Sequence, residues 1–516
     1  GESAIMKLSE LLSVLDPLPR QADGTNVFLP DAEITAIVCD SRKAVPGALF
    51  VCVEGRTTDG HRFAARAYEA GTRFFLAQRM PELPADACVF LVADTRTALA
   101  DLAAAFYGYP ARNLTLIGIT GTKGKTTTAI MLYRALCENG IDAAYIGTNG
   151  VYFADNREPT VNTTPESLEL QHYLRRMADA GVRYLVMEVS SQALLLDRVH
   201  GLRFAVSLFT NLSRDHIGGV EHPDFENYRA CKHLLFTDYG ASTVIVNTDD
   251  PQAGYMLAGN SAETVLTYGT GENADFRGTA FESVSLPDRM GVRFVCRSRE
   301  GSCPVFLPFA GRFSMYNALA VIAVCRVCGV NTANAARSLA HTCVPGRFEL
   351  LRFPSLPGVT FIIDYAHNGT SLSAVLSSLR AYAPERLICL FGSVGCRTKE
   401  RRREMGEVAA RQADLCILTS DNPDTEPPED IIAEIAAAFA LPGSCPYLAI
   451  PDRVDAIRHA VRLARPGDMI LLAGKGHEEY QLIDHRRVPF SERDILCDAV
   501  KKTTEKDGIP LGHIFP

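Results

Sequence analysis

The chain lacks any apolar run long enough to cross a bilayer; one of its most hydrophobic stretches, MILLAG at 469–474, has only the length of a strand. It also lacks an excess of positive charge. Lys and Arg number 52 against 60 Asp and Glu, giving a net charge of −8, so neither a nucleic-acid surface nor a membrane partner is expected. No internal repeat or low-complexity run is visible. A content of 47% hydrophobic and 22% charged residues excludes a collagenous or wholly disordered chain. The start, GESAIMKLSELL, lacks the basic-then-apolar order of a secretory signal, and the other end carries no lipidation motif. Residues 1–5 read as an expression remnant ahead of Met6 and are left out of the fold reading. The 15 cysteines lack the spacing of a disulfide framework and sit mostly in apolar runs, as free thiols of a reducing cytosol do. Cys325 and Cys328 form one CxxC with no second pair, and read as core thiols rather than metal ligands.

What is present is the length and patterning of an α/β protein of three domains. At roughly 150 residues per domain, 516 residues give a prior of about three. Two Pro/Gly joints, YGYPARN at 107–113 and HTCVPGRFE at 341–349, suggest domains at 6–110, 111–344 and 345–516. The middle segment opens with LTLIGI, a buried-strand pattern, then a Gly-rich turn, then a helix ending at Gly140. YLVMEV, AVSLFT and TVIVN follow as strands, and TFIIDYA, LICLFG, DLCILT and MILLAG repeat the style in the last segment. Strands alternating with helices predict mostly parallel sheets, with functional residues at the strands' carboxyl ends. Residues of about 275–310 look β-rich, as an insertion would.

The turn TGTKGKTTT at 120–128 lies between strand and helix, the context of a phosphate loop. Backbone N–H groups and the helix N-terminus there face an anion. Lys125 is placed to reach the terminal phosphates, and Thr126 to offer its hydroxyl to Mg²⁺. The spacing is shorter than the common loop, because Ile119 stands where the first glycine is expected. Glu188 ends YLVME, and a strand-end carboxylate suits Mg²⁺, which takes hard oxygen ligands beside phosphates. Alone it also fits a salt-bridged strand end. His216 and Lys232, taken alone, read as a surface histidine and a solvated lysine.

The motifs GTKGKTT, NTTPES, MEVSSQ, TNLSRDH, ENYRACKHLLF, PGRFE, DYAHN, DNP and GKGHE occur in that order, with CDSRKAVPGALFV near the start. Together they resemble the Mur ligase family over nearly the whole chain, most closely its members that add the third amino acid. The resemblance implies a UDP-holding first domain, a central P-loop ATPase-like parallel sheet and a C-terminal Rossmann-like domain. It implies a cytoplasmic, monomeric, ATP- and Mg²⁺-dependent ligase. Such a ligase adds a diamino acid to the D-Glu γ-carboxylate of UDP-MurNAc-L-Ala-D-Glu through an acyl phosphate, in peptidoglycan precursor synthesis. Domain closure is expected to assemble and shield the site. Carried over residue by residue, Cys39, Ser41, Arg56, Thr57 and Thr58 fall where the family binds UDP. Asn162, Thr163, Thr164, Ser190 and Arg198 fall on further substrate contacts. Gly121, Thr122, Lys123, Gly124, Lys125, Thr126 and Thr127 resemble the ATP-phosphate loop, and Asn317, Arg347 and Asp364 resemble other nucleotide contacts. Lys125, Glu188, His216 and Lys232 resemble the catalytic set. Thr126, Glu188, His216 and Lys232 as a carbamate resemble the metal set. Arg397, Asp421, Asn422, Gly474 and Glu478 fall where the amino acid is held.

Three departures qualify the resemblance. Diaminopimelate-adding members share DNPR, whose Arg grips the distal carboxylate; here the motif is DNPD, with Asp424 in that place. Arginine forks a carboxylate and aspartate repels one, so Asp424 favours L-lysine or a similar basic amino acid over meso-diaminopimelate, unless a nearby arginine substitutes. Leu196 stands where a polar substrate contact is common, and DHIGGVEHPDFENY replaces the usual shorter pattern beside His216. The run Arg401 to Arg403 reads as a solvated helix face. His367 and His477 read equally as structural or catalytic. Competing functions are a related ligase on another acceptor, such as folylpolyglutamate, and a non-catalytic nucleotide-binding paralogue.

Overall fold

The computed structural model describes residues 5–21, 32–55, 58–214, 217, 221–286, 289–396 and 399–506. Its contacts divide the chain into two compact units, residues 1–276 with 320–331, and residues 277–319 with 332–516. Among the described residues, no helix is long and apolar enough to cross a membrane.

The first unit holds two sheets. In the smaller, the strands Cys88–Leu91, Phe74–Ala77, Ala48–Val51 and Ala36–Val38 lie side by side and parallel. Successive residues point to opposite faces, so each face builds its own core. Leu49, Val51, Leu76 and Phe90 meet Leu99 and Leu102 of the helix Thr95–Phe106. Phe50, Phe75 and Val89 meet Ala64 and Ala67. At the first joint, Tyr109 adopts φ 51 and leads into a short helix at Pro110–Asn113. This joint does not separate compact units, because Glu166 on the far side of it pairs with both Arg96 and Arg198.

The larger sheet has the parallel order Ala143–Gly147, Tyr184–Glu188, Thr115–Thr120, Val206–Phe209, Thr243–Asn247 and Thr264–Gly269. Its strands are buried on both faces, which explains why they read as unbroken apolar runs. The hairpin strands Gly150–Phe153 and Asn156–Glu158 extend it antiparallel.

In the second unit, Thr360–Asp364, Asp468–Ala473, Arg386–Phe391, Leu415–Leu418 and Tyr447–Ala449 form a parallel sheet in that spatial order. Glu349–Leu351 adds an antiparallel edge. Ile388, Leu390, Ile470 and Leu472 pack against Ile457 and Val461 of one helix and Leu496 and Val500 of another. The β-rich stretch is an antiparallel run of Phe276–Ser285, Met290–Ser298 and Gly301–Leu307, with a register shift between Thr279 and Glu282.

Candidate active site

The strand Thr115–Thr120 runs between two parallel neighbours into the glycine turn, and the helix Lys125–Glu138 leaves it. Gly124, the residue before this helix, has φ 84, a region that costs glycine little. Gly121 has φ 147, and a Cβ there would strike the Thr210 hydroxyl. The turn is braced from the next strand's end. Thr210 donates to the Lys123 carbonyl at 2.8 Å, Asn211 Nδ2 to the same carbonyl at 2.9 Å, and Thr122 N–H to the Asn211 carbonyl at 2.8 Å. The Lys125 ammonium lies over the turn, donating to the Gly121 carbonyl at 2.8 Å and the Thr122 carbonyl at 3.1 Å. Thr127 follows on the first turn of the helix and is half-buried.

Glu188 ends the adjacent strand, fully buried, and gathers the surrounding groups. Its Oε2 accepts from the Thr126 hydroxyl at 2.9 Å. Its Oε1 accepts from the Tyr145 hydroxyl at 2.8 Å and the Thr148 N–H at 2.9 Å. The Thr164 hydroxyl donates to the Glu188 carbonyl at 2.8 Å and accepts from the Ser190 N–H. The Thr163 hydroxyl meets that of Thr148 at 3.1 Å, and Asn162 beside it is half-buried. Arg198 donates to the Thr164 carbonyl and pairs with Glu166 at 2.8 Å; burial lowers its pKa, against the pull of Glu166.

Lys232, on the helix Phe225–Thr237, is not the solvated lysine that its setting in sequence suggested. It is 1% exposed, donates to the Gly121 carbonyl at 2.9 Å and lies 4.5 Å from the Tyr228 ring centre. Gly121, Lys125, Thr126, Glu188 and Lys232 therefore form one connected group. Their neighbours Tyr145, Thr148 and His222 gave no signal in sequence. His222 is buried, bonded to Ser191 Oγ at 2.9 Å and Asn227 Oδ1 at 2.7 Å. His216, Arg56, Thr57 and Arg397 lie outside the described residues.

Near the first sheet, Ser41 is buried and opens a short helix whose preceding Asp40 accepts from Arg42 N–H at 3.0 Å. Cys39 has its thiol pushed up by burial, and the Thr58 carbonyl accepts from Gly55 N–H at 2.8 Å. Leu196 contributes only its carbonyl, to Arg96 at 3.4 Å.

The second unit gathers another group at its sheet's carboxyl edge. Asp421 and Asn422 follow the strand Leu415–Leu418; Gly474 and Glu478 follow Asp468–Ala473. Lys475, which the sequence reading passed over, lies between them with no exposed surface. It donates to Asn422 Oδ1 at 2.8 Å and Glu478 Oε2 at 2.5 Å, and is 3.7 Å from Asp421. Burial raises the Asp421 carboxyl. It also works to raise Glu478, but the Lys475 cation and two hydrogen bonds outweigh it and hold Glu478 low. Gly474 has φ 112, and a Cβ there would lie 2.8 Å from Asp421 Oδ2.

Asp364 is buried, which raises its carboxyl, and accepts from Phe348 N–H at 2.8 Å. The Arg347 guanidinium lies 4.9 Å from the Tyr365 ring centre, and its Nε has no hydrogen-bond partner among the described residues. His367 and His477 stack on Tyr365 at 4.7 and 4.8 Å, the packing of structural histidines. Asn317 is buried in the helix Arg312–Val327. The basic run departs from a solvated face: Arg402 is buried and bonded to Glu426 and Glu434, while Arg403 is exposed. Asp424 is also committed locally. It has φ 54, and its Oδ1 accepts from His485 N–H at 2.7 Å and lies 3.1 Å from His485 Nδ1.

Three family models match the chain: the Mur ligase middle domain at 119–325, the Mur ligase glutamate ligase domain at 346–476, and the Mur ligase family catalytic domain at 33–107. A UDP-N-acetylmuramoyl-L-alanyl-D-glutamate–2,6-diaminopimelate ligase of Geobacillus thermodenitrificans is 39% identical over 505 residues, covering 96% of this chain and all of that protein. The protein of the same name from Chlorobaculum tepidum is 39% identical over 95% of this chain and 96% of its own. A solved structure of that name has 27% identity and a TM-score of 0.67, covering 96% of this chain and 99% of the other. MurF from Acinetobacter baumannii, 20% identical with a TM-score of 0.63, shares the fold.

Proposed function

The chain belongs to the Mur ligase family of ATP-dependent amide ligases, and we propose that it adds meso-diaminopimelate to the D-Glu γ-carboxylate of UDP-MurNAc-L-Ala-D-Glu. The observation that carries this reading is the similarity, at 39% identity over nearly the full chain, to relatives named for that reaction. The preference for L-lysine drawn from Asp424 is corrected accordingly. The physical reason is that the Asp424 carboxylate is taken up by the His485 N–H and ring, so it is not free to bind a substrate ammonium.

The chemistry proceeds in two steps at one carboxylate. An oxygen of the γ-carboxylate attacks the γ-phosphorus of ATP, the bond to the β-bridging oxygen breaks, and an acyl phosphate and ADP form. The free amine of the amino acid then attacks the acyl carbon, loses a proton, and phosphate leaves. Charge gathers on phosphoryl oxygens, so catalysis rests on positioning and cations. Lys125 and the N–H groups of Gly121, Thr122, Lys123, Gly124 and Thr126 supply these. Thr163, Thr164, Ser190 and Arg198, with Ser41 and Thr58, bind the UDP-linked substrate. Arg347, Asp364 and Asn317 bind the nucleotide. Asp421, Asn422, Gly474 and Glu478 hold the amino acid.

The oxygens of Thr126 and Glu188 are the hard donors that Mg²⁺ takes, and His216 joins them by resemblance. When bound, the ion supplies neutralisation of phosphate charge. Lys232 cannot ligate as a cation. Its neutral amine adds CO₂ and releases a proton, giving a carbamate with two anionic oxygens. That carbamate keeps one N–H, so the bond from Lys232 to the Gly121 carbonyl survives the modification.

The three domains are 6–110, 111–344 and 345–516; the three family matches fall within these limits. The enzyme works in the cytoplasm as a monomer. The test is phosphate release by purified protein with ATP, Mg²⁺ and UDP-MurNAc-L-Ala-D-Glu, in parallel with meso-diaminopimelate, L-lysine and L-ornithine. Turnover mainly with meso-diaminopimelate is expected; none with any of the three would sink the proposal.

A further inference from the structure

The amino-acid group of the second unit depends on two strand ends that do not touch each other. In the sheet, Arg386–Phe391 lies between Leu415–Leu418 and Asp468–Ala473. Asp421 and Asn422 come from one outer strand, Gly474, Lys475 and Glu478 from the other. Carbonyls at the carboxyl ends of parallel strands have run out of ladder partners, so their direction is set by whatever donor is supplied. Here the donor is one side chain. Arg453, at the start of the helix Arg453–Leu463, is 1% exposed. Its Nη1 donates to the Ser420 carbonyl at 3.0 Å and its Nη2 to the Ala473 carbonyl at 2.7 Å. Those carbonyls immediately precede Asp421 and Gly474. The guanidinium is held in turn by Glu492 Oε1, at 2.9 Å from Nε and 2.7 Å from Nη2; Glu492 is 2% exposed.

The backbone between makes room for this span. A Cβ on Gly392, just past the middle strand, would strike the Thr419 carbonyl and lie 2.8 Å from the Ser420 carbon, so only glycine lets that segment fold across. The fit of Asp421 against Gly474 leaves no space for a methyl group. A shift of either strand end would open or close the gap into which Asp421 faces. A planar, five-donor guanidinium can fix two carbonyls and a carboxylate at once, which a lysine ammonium on a single point cannot do in the same geometry.

We propose that Arg453, locked by Glu492, is a positioning residue for the incoming amino acid: it clamps the Ser420 and Ala473 carbonyls and so sets Asp421 and Asn422 against Gly474 and Glu478. It touches no substrate. The inference rests on the reading that this group holds the amino acid.

The test compares full-length wild type with Arg453→Met, Arg453→Lys and Glu492→Gln. The KM for each substrate, kcat, and positional isotope exchange in ATP without amino acid are measured. Arg453→Met is expected to raise the KM for the amino acid by about tenfold or more, with the KM for ATP and the isotope exchange little changed. Arg453→Lys and Glu492→Gln are expected to fall between it and wild type. An unchanged amino-acid KM in all three variants, or a loss that strikes all substrates and the exchange together, overturns the proposal. Amide hydrogen exchange of Arg453→Lys and wild type reads the clamp without turnover. Faster exchange confined to 419–422 and 473–478 is expected, and unchanged exchange there overturns the clamp. Wild type inactive with every amino acid, yet showing that local change, would instead sink the functional reading and leave the clamp standing.

Discussion

Glu188 is a residue whose chemistry was legible and whose surroundings were not. Its place at the end of an apolar strand marked it in sequence; Tyr145 and Thr148 reach it from a neighbouring crossover, which no linear spacing encodes. Glu188→Gln keeps the shape and removes the charge, so kcat should fall on the order of a hundredfold or more with the unfolding midpoint little changed. Steady-state kinetics beside thermal unfolding check this, and an unaltered kcat would remove Glu188 from the catalytic set. His477 makes a second residue-scale case. Burial, then the Arg347 cation, pushes its imidazole from 6.5 down to about 4. The folded chain keeps it neutral while the unfolded chain takes up a proton, so stability present above 6.5 is lost as pH falls toward 4. The buried carboxyls of Asp364, Asp421 and Glu492 are raised and act with the opposite sign. His477→Gln should therefore reduce the loss of stability between pH 7 and pH 5 by about 1–2 kcal/mol, as read by denaturant unfolding at both values. An equal loss in variant and wild type would show that the ring does not titrate in this way.

At the scale of elements, the phosphate turn was legible because its parts are local: an apolar strand, glycines, then Lys-Thr at a helix start. What the sequence could not display is why Gly121 must be glycine. The reason is the Thr210 hydroxyl, ninety residues on, packed where a Cβ would sit. Gly121→Ala is expected to displace the turn or Thr210, whose hydroxyl otherwise donates to the Lys123 carbonyl. Strain of roughly 1–3 kcal/mol then falls on the loop that cradles phosphate. The KM for ATP should rise and kcat fall, while the KM for the amino acid changes little; an ATP KM like that of wild type would refute the argument. The basic helix is the reverse case. A run of Arg401, Arg402 and Arg403 looks uniform in sequence, yet helical rotation turns Arg402 inward onto Glu426 and Glu434 and leaves Arg403 outside. Its carboxylate partners lie more than twenty residues away, so charge patterning along the helix alone could not separate them.

At the scale of the whole molecule, the alternation of strands and helices was enough to read both large parallel sheets, and motif order was enough to read the family. The amino acid was not readable from one position. Asp424 was weighed as though its side chain faced a substrate, but its left-handed backbone and its bonds to His485 make it a fastener between the strand-end loop and the hairpin of Tyr480–Ile483 and Arg486–Pro489. The same hairpin is tied to that loop through the Asp424 N–H to the Leu482 carbonyl at 2.9 Å and the Asp484 N–H to the Asp424 carbonyl at 3.0 Å. A fastener and a specificity residue respond differently to mutation. Asp424→Asn keeps an oxygen that can accept from the His485 N–H and discards the charge. If Asp424 is a fastener, this variant retains the wild-type order of kcat/KM among meso-diaminopimelate, L-lysine and L-ornithine, with values within a few-fold. If Asp424 reads an ammonium, wild type prefers lysine or ornithine and the variant loses that preference by about tenfold or more, since a charge-assisted contact contributes more than a neutral one. The backbone anchoring of Asp424 favours the first outcome, and the two are separable in a single set of competition assays.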